Sequence, residues 1–415
     1  MNTGTLAAMA WRNIWRNRRR TLVTLASIVF GTFLAVFLTG MGDATYGKMI
    51  DTAAKMGNGH VTVQHRLQTE APAPKRFVSG AKGLAAQVVQ TPGVRGAAAR
   101  IMATAMVAAG GESRGAALIG IDVGSESKES LAALGGVAEG ALFAADDKHG
   151  ALLGADLARH LGVELGSKVV FTLTDRNGEI VTALLRVRGL LQTGSPDADS
   201  GLVIAPLQTL QKALGYGPED ATLVAVLVED QRQTASVARA LQPLQSGDRV
   251  VRTWHETMPE LSGFIDMKLS GAAFMQGLVL LLVAAGIFNA LLVSVMERMR
   301  EFGILSAIGW GRGLLFGLVM LESLWIGLCG LLATVLVAAW PYWKLSTEGF
   351  TLPVVDSSQQ TQVANVMMDP TFYVRIHPEN LALIVVAVLT ATLLSGLLPA
   401  WIAGRVNPTT AIKLV

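Results

Sequence analysis

The sequence predicts a membrane protein with four transmembrane α-helices and a large outward-facing α+β domain between the first and second helices. Of its 415 residues, 51% are hydrophobic and 16% are charged, which is too apolar for an average soluble protein and too charged for one wholly in the membrane. A membrane span needs about 20 apolar residues. Stretches of that length occur at residues 21–41, 272–295, 314–340 and 381–402.

Basic residues beside these spans predict the orientation of the chain. They are Arg12, Arg16, Arg18, Arg19 and Arg20 before the first span, Arg298, Arg300 and Arg312 after the second, and Arg405 and Lys413 after the fourth. Arginine and lysine near span ends favour the cytoplasmic side of the membrane. With four spans, all three clusters fall on that side, so both termini are predicted to be cytoplasmic.

Residues 1–20 are predicted to form a cytoplasmic amphipathic helix on the inner membrane surface. Trp11 and Trp15, four residues apart, form an apolar edge with Ile14, and arginines flank this edge. An ordinary positively charged anchor explains the arginines equally well. The first span is expected to be an uncleaved anchor, because it is about 20 residues long and no small-x-small cleavage site follows it.

The domain at 42–271 is predicted to begin with a polar connector at 51–59 and to contain two lobes. The α+β lobe comprises residues 57–123 and 219–262, and its alternation and helical periodicity predict a split βαβ arrangement. The predicted strands are 60–65, 94–109, 113–121, 221–229 and 249–252, and the predicted helices are 79–90 and 231–244. Residues 124–218 are predicted to form an inserted β-rich lobe with strands at 150–153, 168–174 and 180–190. An Asn177-Gly178 turn joins the last two strands.

A charged segment follows the second span and marks a membrane face. Glu297-Arg298-Met299-Arg300-Glu301 cannot lie in hydrocarbon, and residues 302–308 have helical spacing, with Leu305 and Ile308 on one side. Glycines 309, 311 and 313 then disfavour continuation of the helix. We interpret residues 296–313 as a short cytoplasmic helix and loop that offers a surface to a partner.

The remaining segments are predicted from the same patterns. The outward loop at 341–380 is expected to be mostly irregular, and residues 403–415 form a cytoplasmic tail. Two polar residues, Asn289 and Glu322, lie inside predicted spans, where a carboxylate costs about 2.5–3.5 kcal/mol. Either they contact a proton or a substrate, or they pack between helices near the inner surface; the second interpretation is favoured.

No enzymatic site is predicted in this chain. It has no G-x-x-x-x-G-K-[ST], H-E-x-x-H or G-x-S-x-G motif, and its one cysteine, Cys329, lies in the third predicted span. The glycine-rich segment 309–313 follows a helix rather than a strand, which argues against a phosphate site. No catalytic, cofactor-binding or metal-ligating residue is therefore predicted. Arginines that abut a span do not favour nucleic acid as a partner.

The chain resembles the membrane subunits of bacterial ABC transporters of the MacB, LolC–LolE and FtsX-like permease superfamily, also called type VII. Its layout is most similar to that of lipoprotein-releasing permeases. The residues that carry the resemblance are Ala10-Trp11-Arg12-Asn13 and Arg16-Asn17-Arg18-Arg19-Arg20-Thr21-Leu22, then Asn289 with the segment from Glu297 to Gly309, and finally Pro399-Ala400, Ala403, Arg405, Pro408 and Ala411.

The resemblance implies a non-catalytic permease subunit in the bacterial inner membrane, with the large domain in the periplasm. A separate ATPase, present in two copies and carrying ATP and Mg²⁺, would dock on the short helix and drive periplasmic motion. The implied coupling residues are Glu297, Arg298, Arg300, Glu301, Phe302, Gly303, Leu305, Ala307 and Gly309. A second permease subunit, identical or different, is also implied, as are contacts with membrane lipids.

The resemblance implies extraction or export of a lipophilic substrate, and lipoprotein trafficking is the favoured function. The alternatives are MacB-like efflux of an antibiotic or peptide, and FtsX-like regulation of a cell-wall hydrolase. Permeases that hand lipoproteins to a periplasmic chaperone can carry an extended hairpin. The matching hairpin here, residues 171–181, has only Asp175–Gly178 at its tip. A partner permease would have to supply such a grip.

Overall fold

The computed structural model describes residues 3–134, 137–192, 196–351, 362–363, 366–367 and 371–406. The chain divides into two compact units. The membrane unit comprises Met1–Thr45, Met267–Pro353 and Pro370–Val415, and the extramembrane domain comprises Tyr46–Asp266 and Val354–Asp369. Within the described residues, four helices are long and apolar enough to cross a membrane. The four predicted transmembrane helices are thereby confirmed.

The sequence pattern predicted one helix over residues 1–20, but the N-terminal segment is interrupted before residue 20. Helix α1 spans Thr3–Ile14, a 3₁₀ turn spans Trp15–Asn17, and helix α2 spans Arg18–Met56. The hydroxyl of Thr21 donates hydrogen bonds to the carbonyl oxygens of Ile14, at 2.5 Å, and Asn17, at 3.2 Å. These bonds satisfy backbone acceptors that the interruption of the helix leaves unpaired.

Helix α2 also continues well beyond the predicted span, through part of the segment 51–59 that was predicted to be a polar connector. The prediction of a connector was wrong as far as Met56. Met49 and Ile50 on this extension are buried against Leu261 and Ile265. This contact between residues some two hundred positions apart stabilises the helical turns, and hydropathy along the chain does not reveal it.

Between α2 and α10 the extramembrane domain contains ten strands and seven α-helices among the described residues. The strands are β1 Val61–His65, β2 Val94–Ala109, β3 Glu112–Ile121, β4 Val137–Gly140, β5 Gly150–Gly154, β6 Lys168–Thr174, β7 Ile180–Leu191, β8 Leu202–Pro206, β9 Leu223–Val228 and β10 Arg249–Thr253. The helices are α3 Ala81–Val88, α4 Lys128–Leu134, α5 Ala155–Leu161, α6 Pro196–Gly201, α7 Leu207–Leu214, α8 Thr234–Leu241 and α9 Trp254–Thr257. A strand lies at each predicted position, and β4 and β8 are additional.

The ten strands form one continuous sheet. Its order is β10-β1-β9-β2-β3-β8-β5-β7-β4, with β6 paired to β2 and β7. Strand β2 joins the two halves, because its first part pairs with β9 and its second part pairs with β3 and β6. The boundary predicted at residue 124 does not separate the pairing: β3, assigned to the first lobe, pairs in parallel with β8 of the insert. Strand β2 has 16 residues and β9 has six. The second part of β2 therefore has backbone groups that need partners other than β9, and these pair with β3 and β6.

A buried ion pair lies beside the sheet of the extramembrane domain. The guanidinium of Arg100 contacts both carboxylate oxygens of Glu126, at 2.6 and 2.8 Å, and both side chains are only 1% exposed. Arg100 also donates to the carbonyl oxygen of Gly57 at 2.5 Å and to the hydroxyl of Ser130 at 3.1 Å. Strand β2, helix α4 and the segment after α2 therefore meet at one cation.

The C-terminal part contains four further helices. Its elements are α10 Pro259–Glu297, α11 Met299–Ala307, α12 Arg312–Thr347, β11 Phe350–Thr351, β12 Gln362–Val363, β13 Val366–Met367, β14 Thr371–Phe372 and α13 Pro378–Gly404. The loop predicted to begin at Pro341 begins only after α12. The last turns of α12 contact the segment before α13: the Tyr342 hydroxyl accepts a hydrogen bond from the backbone N–H of Ile376. Residues 352–361, 364–365 and 368–370 of the loop and the whole tail after residue 406 lie outside the described residues.

Replacing Glu126 with alanine should destabilise the extramembrane domain by about 3–5 kcal/mol, because Arg100 would stay buried without a counter-charge. Hydrogen exchange of the β2 amides in the purified full chain, measured across a urea series, reports this change. The matched control is Glu112→Ala, at an exposed carboxylate at the start of β3. It should change stability by less than about 0.5 kcal/mol. Equal effects of the two substitutions would contradict a stabilising role for the buried pair.

Candidate functional site

The charged segment after the second span forms a sharp turn between two helices. Helix α10 ends at Glu297, Arg298 has φ −106° and ψ 13°, and helix α11 begins at Met299. The short helix thus starts three residues before the predicted position. Glu301 in its first turn interacts favourably with the helix dipole. Gly309, with φ 104°, ends this region in a conformation that favours glycine.

Arg298 at this turn is paired with Glu322 of α12. Its Nη1 lies 2.8 Å from Oε1 of Glu322, and its Nε lies 3.2 Å from Oε2 of Glu301. The guanidinium also lies 5.0 Å from the centre of the Phe302 ring. The Arg298 and Glu322 side chains are 11% and 5% exposed, and Asn13 of α1 donates a further hydrogen bond to Glu322 at 2.8 Å. Three helices therefore converge on one carboxylate.

Two arginines before the first span also pair with this segment. Arg16 contacts Glu301 at 2.5 Å, and Arg20 contacts Glu297 at 2.8 Å. The hydrogen bond from Arg16 lowers the pKa of Glu301. At pH values above the pKa that Glu301 has in the unfolded chain, this shift stabilises the folded chain in full. The stabilisation is lost as the pH falls through the lower pKa that Glu301 has in the folded chain. One feature of the sequence could have indicated these pairs: the N-terminal arginines and the two glutamates were predicted to lie on the same side of the membrane.

The predicted coupling residues differ in what they contact. Phe302 and Gly303 are buried, and Leu305 packs against the same cluster as Phe302. Arg298 and Glu301 are engaged in ion pairs inside the chain. The members of the predicted set that are classed as exposed are Glu297, Arg300, Ala307 and Gly309. Only part of the predicted set is therefore free to meet a partner.

The side of α11 opposite Phe302 exposes isoleucines. Ile304 is 45% exposed and Ile308 is 73% exposed, with exposed Arg300 and Arg312 nearby in sequence. Leu305 and Ile308, predicted to share one side, differ in exposure because Ile308 lies just beyond the end of α11. Apolar side chains at a surface favour burial against a partner. Ile304 and Ile308 were not among the predicted site residues, since the sequence pattern did not show which side of α11 packs inward.

The two polar residues predicted inside spans have different surroundings. Glu322 is 4% exposed and bonded to Asn13 and Arg298, so its contacts are interhelical. Asn289 is exposed on α10, and its side chain has no hydrogen-bond partner among the described residues. Leu282, Val293 and Met296 of the same helix are also exposed. Helix α10 therefore presents an apolar surface with one amide in it.

Two family models together cover all four spans, the short charged helix between the second and third, and most of the domain between the first two. Residues 273–408 match the family model FtsX-like permease C-terminal, and residues 21–244, more than half of the chain, match the MacB-like periplasmic core domain. The chain therefore belongs to the family of ABC transporter permeases of MacB and FtsX type. The resemblance inferred from the sequence motifs is confirmed.

Several curated proteins are similar to this chain at low identity. The lipoprotein-releasing system transmembrane protein LolC of Neisseria meningitidis is 22% identical over 95% of this chain and 94% of its own length. LolC of Xylella fastidiosa is 23% identical over 63% of this chain, which spans just under two thirds, 64%, of that relative. The pyoverdine export ATP-binding/permease protein PvdT of Pseudomonas entomophila is 25% identical over 79% of this chain and 50% of its own length.

Solved structures with similarity to the chain include those of two extramembrane regions. The extracellular domain of the transporter YknZ from Gram-positive bacteria aligns with 46% of this chain and 99% of its own, at 18% identity and a TM-score of 0.33. The periplasmic region of MacB from Actinobacillus actinomycetemcomitans aligns with 54% of this chain and 98% of its own, at 15% identity and a TM-score of 0.35.

Replacing Glu322 with leucine should lower the stability of the membrane unit by about 3–5 kcal/mol, because Arg298 loses its main counter-charge in a buried position. Adding Arg298→Leu should recover most of that loss, since neither charge then remains unpaired. Thermal unfolding of the purified chain in detergent measures both variants. Glu348→Leu, at an exposed glutamate beyond the end of α12, is the control and should have little effect. A double variant as unstable as Glu322→Leu alone would contradict the pairing.

Proposed function

We propose that a separate ATPase docks on the exposed side of α11 and that the chain couples ATP hydrolysis to periplasmic movement of a lipophilic substrate, with lipoprotein trafficking as the favoured function. The observation that carries this proposal is the two-sided character of α11. One side buries Phe302 in the membrane unit, and the other side exposes Ile304 and Ile308. A short helix of this kind suits helix-in-groove docking by a partner protein.

The contacts of α11 provide a route for force inside the membrane unit. Arg298 links the start of α11 to Glu322 of α12, and Arg16, in the turn that follows α1, pairs with Glu301. Because these pairs and buried Phe302 fix α11 on its inner side, a push on its outer side is passed to α12 and α1. The chain itself needs no catalytic group for this role, and ATP and Mg²⁺ would be held by the ATPase.

The ion pairs also support the proposed orientation. Arg16 and Arg20 pair with Glu301 and Glu297, so the basic N-terminal segment and the docking segment share one face of the membrane. Arginine-rich segments at span ends favour the cytoplasm. We infer that both termini and α11 are cytoplasmic and that the domain between α2 and α10 is periplasmic.

The exposed surface of α10 supports a second permease subunit. An amide within a span favours a hydrogen-bonding partner over lipid, and Asn289 has none among the described residues. A second copy of this chain or a related permease, packed on α10, would cover Asn289 together with Leu282 and Val293. The assembly would then offer two docking helices, one for each of two ATPase copies.

The similarity to LolC over nearly the full length of both chains supports lipoprotein as the substrate. The tip between β6 and β7 is compact: the Asp175 carboxylate accepts hydrogen bonds from the backbone N–H groups of Asn177 and Glu179, each at 2.8 Å. So small a tip has little surface with which to hold a chaperone. A different second permease would supply that contact, which favours a heterodimer. Efflux and hydrolase regulation are the competing functions.

Replacing Ile308 with glutamate should reduce capture of the ATPase by more than about tenfold. Burying an isoleucine contributes about 1.5–3 kcal/mol, and 1.4 kcal/mol corresponds to a factor of ten in affinity. Pull-down of the ATPase by purified permease in nanodiscs measures the effect. The matched control is Ile180→Glu, at an isoleucine that is 78% exposed at the start of β7. Unchanged capture by the Ile308 variant would rule out this docking surface. Charge reversal at Glu301, as in Glu301→Lys, would be a less specific test of ATPase docking, because it also breaks the ion pairs of Glu301 with Arg16 and Arg298.

Purification of the complex from native membranes, with mass spectrometry of the proteins and lipids that accompany it, tests the substrate. Lipoprotein recovered with the ATPase and a second, different permease is the expected result. Recovery of a periplasmic adaptor or a cell-wall hydrolase, with no lipoprotein, would overturn lipoprotein trafficking and favour efflux or regulation. The control is the same purification with the Ile308→Glu variant, which should lose the ATPase.

A further inference from the structure

The extramembrane domain contains a cavity of about 490 Å³ that the transport mechanism does not use. It lies against the middle of the sheet, between Gln64 of β1, Met102 of β2, Leu173 of β6 and the loop that carries Gln68. Cavities of about 300–1,000 Å³ are the usual size of small-molecule sites in proteins. The volume is therefore sufficient for a small ligand.

The lining of this cavity is neutral and amphipathic. No Asp, Glu, Lys, Arg or His is among the described residues that line it. The walls combine apolar side chains, such as Met102 and Leu173, with amide and hydroxyl groups, such as those of Gln68 and Thr104. A carboxylate or ammonium group placed there would lose its hydration without gaining a counter-charge, which is strongly unfavourable. The lining therefore selects for an uncharged ligand.

One buried polar atom in the wall has no partner. Gln68 is only 8% exposed, and its Oε1 is fully buried and accepts no hydrogen bond from the described residues. The neighbouring Gln64, 2% exposed, is satisfied, because its Nε2 donates to the Thr69 hydroxyl at 2.6 Å. A buried acceptor without a donor is unfavourable. Gln68 lines the cavity, and rotation of its terminal amide turns this oxygen towards a molecule that enters, from which it then accepts a hydrogen bond.

We propose that this cavity binds a small uncharged amphiphile, whose apolar body packs on Met102 and Leu173 and whose hydroxyl or amide group donates a hydrogen bond to Gln68. A monoacylglycerol has this chemistry. The proposal depends only on the extramembrane domain and stands apart from the docking of an ATPase and from lipoprotein trafficking.

The test is photolabelling of the full chain in lipid nanodiscs with 1-dodecanoylglycerol that carries a diazirine in its acyl chain. Mass spectrometry should locate the label on peptides that contain Met102, Leu173 or Tyr216, which line the cavity. Unlabelled 1-dodecanoylglycerol should compete for this labelling, and dodecanoate at pH 8 should not. Label found only in the transmembrane helices, or equal competition by dodecanoate, would overturn the proposal.

Three variants sharpen the test. Ala117 is exposed, lines the cavity opposite Thr104 in the β2–β3 ladder, and should tolerate a larger side chain. Ala117→Phe fills the space and should abolish specific labelling. Gln68→Leu removes the acceptor and should weaken competition on the order of tenfold, the value of one hydrogen bond. The control is Ala240→Phe, at an exposed alanine of α8 that does not line the cavity. Labelling of Ala117→Phe as strong as that of this control would also overturn the proposal.

Discussion

The ion pair between Arg298 and Glu322 fixes the geometry on which the membrane unit depends. It lies where the second transmembrane helix ends and the short helix α11 begins, and almost none of either side chain is exposed. A buried pair of this kind is not an efficient source of stability, but loss of either partner is strongly destabilising. Its role is to define one position of α11, in which Phe302 faces inward and Ile304 faces outward. The exposed apolar surface is a direct consequence of that position.

Much of the architecture could be predicted from local patterns. Hydropathy located all four transmembrane helices, because a bilayer imposes a length that the sequence must match. Sequence patterns located eight strands of the extramembrane domain. In β6 and β7 apolar and polar residues alternate because one face packs against the core, whereas β5 and β9 are short apolar runs buried on both faces. The charged residues after the second span indicated a membrane face, because they cannot lie in hydrocarbon.

The features that could not be predicted depend on contacts between distant parts of the chain. Helix α2 extends to Met56 because Met49 and Ile50 meet Leu261 and Ile265. Strand β3 pairs in parallel with β8 across the boundary that the sequence predicted at residue 124. In the candidate site, composition identified the charged residues but not their partners. The preference of basic residues for the cytoplasmic side was enough to explain the N-terminal arginines in the sequence. Their pairing with Glu297 and Glu301 could be seen only in the folded structure.

The pairing of the N-terminal segment also constrains how the protein is made. Asn13 and Glu322 are separated by 309 residues, and Arg20 and Glu297 by 277. At about 5–20 residues per second, a ribosome needs roughly 15–60 s to synthesise that interval. During this time Arg16 and Arg20 lack their carboxylate partners, Glu301 of α11 and Glu297 of α10, and anionic lipid headgroups are the available substitutes. Closure of the membrane unit is therefore a late event in biogenesis, since it waits until the ribosome has synthesised Glu297, Glu301 and Glu322.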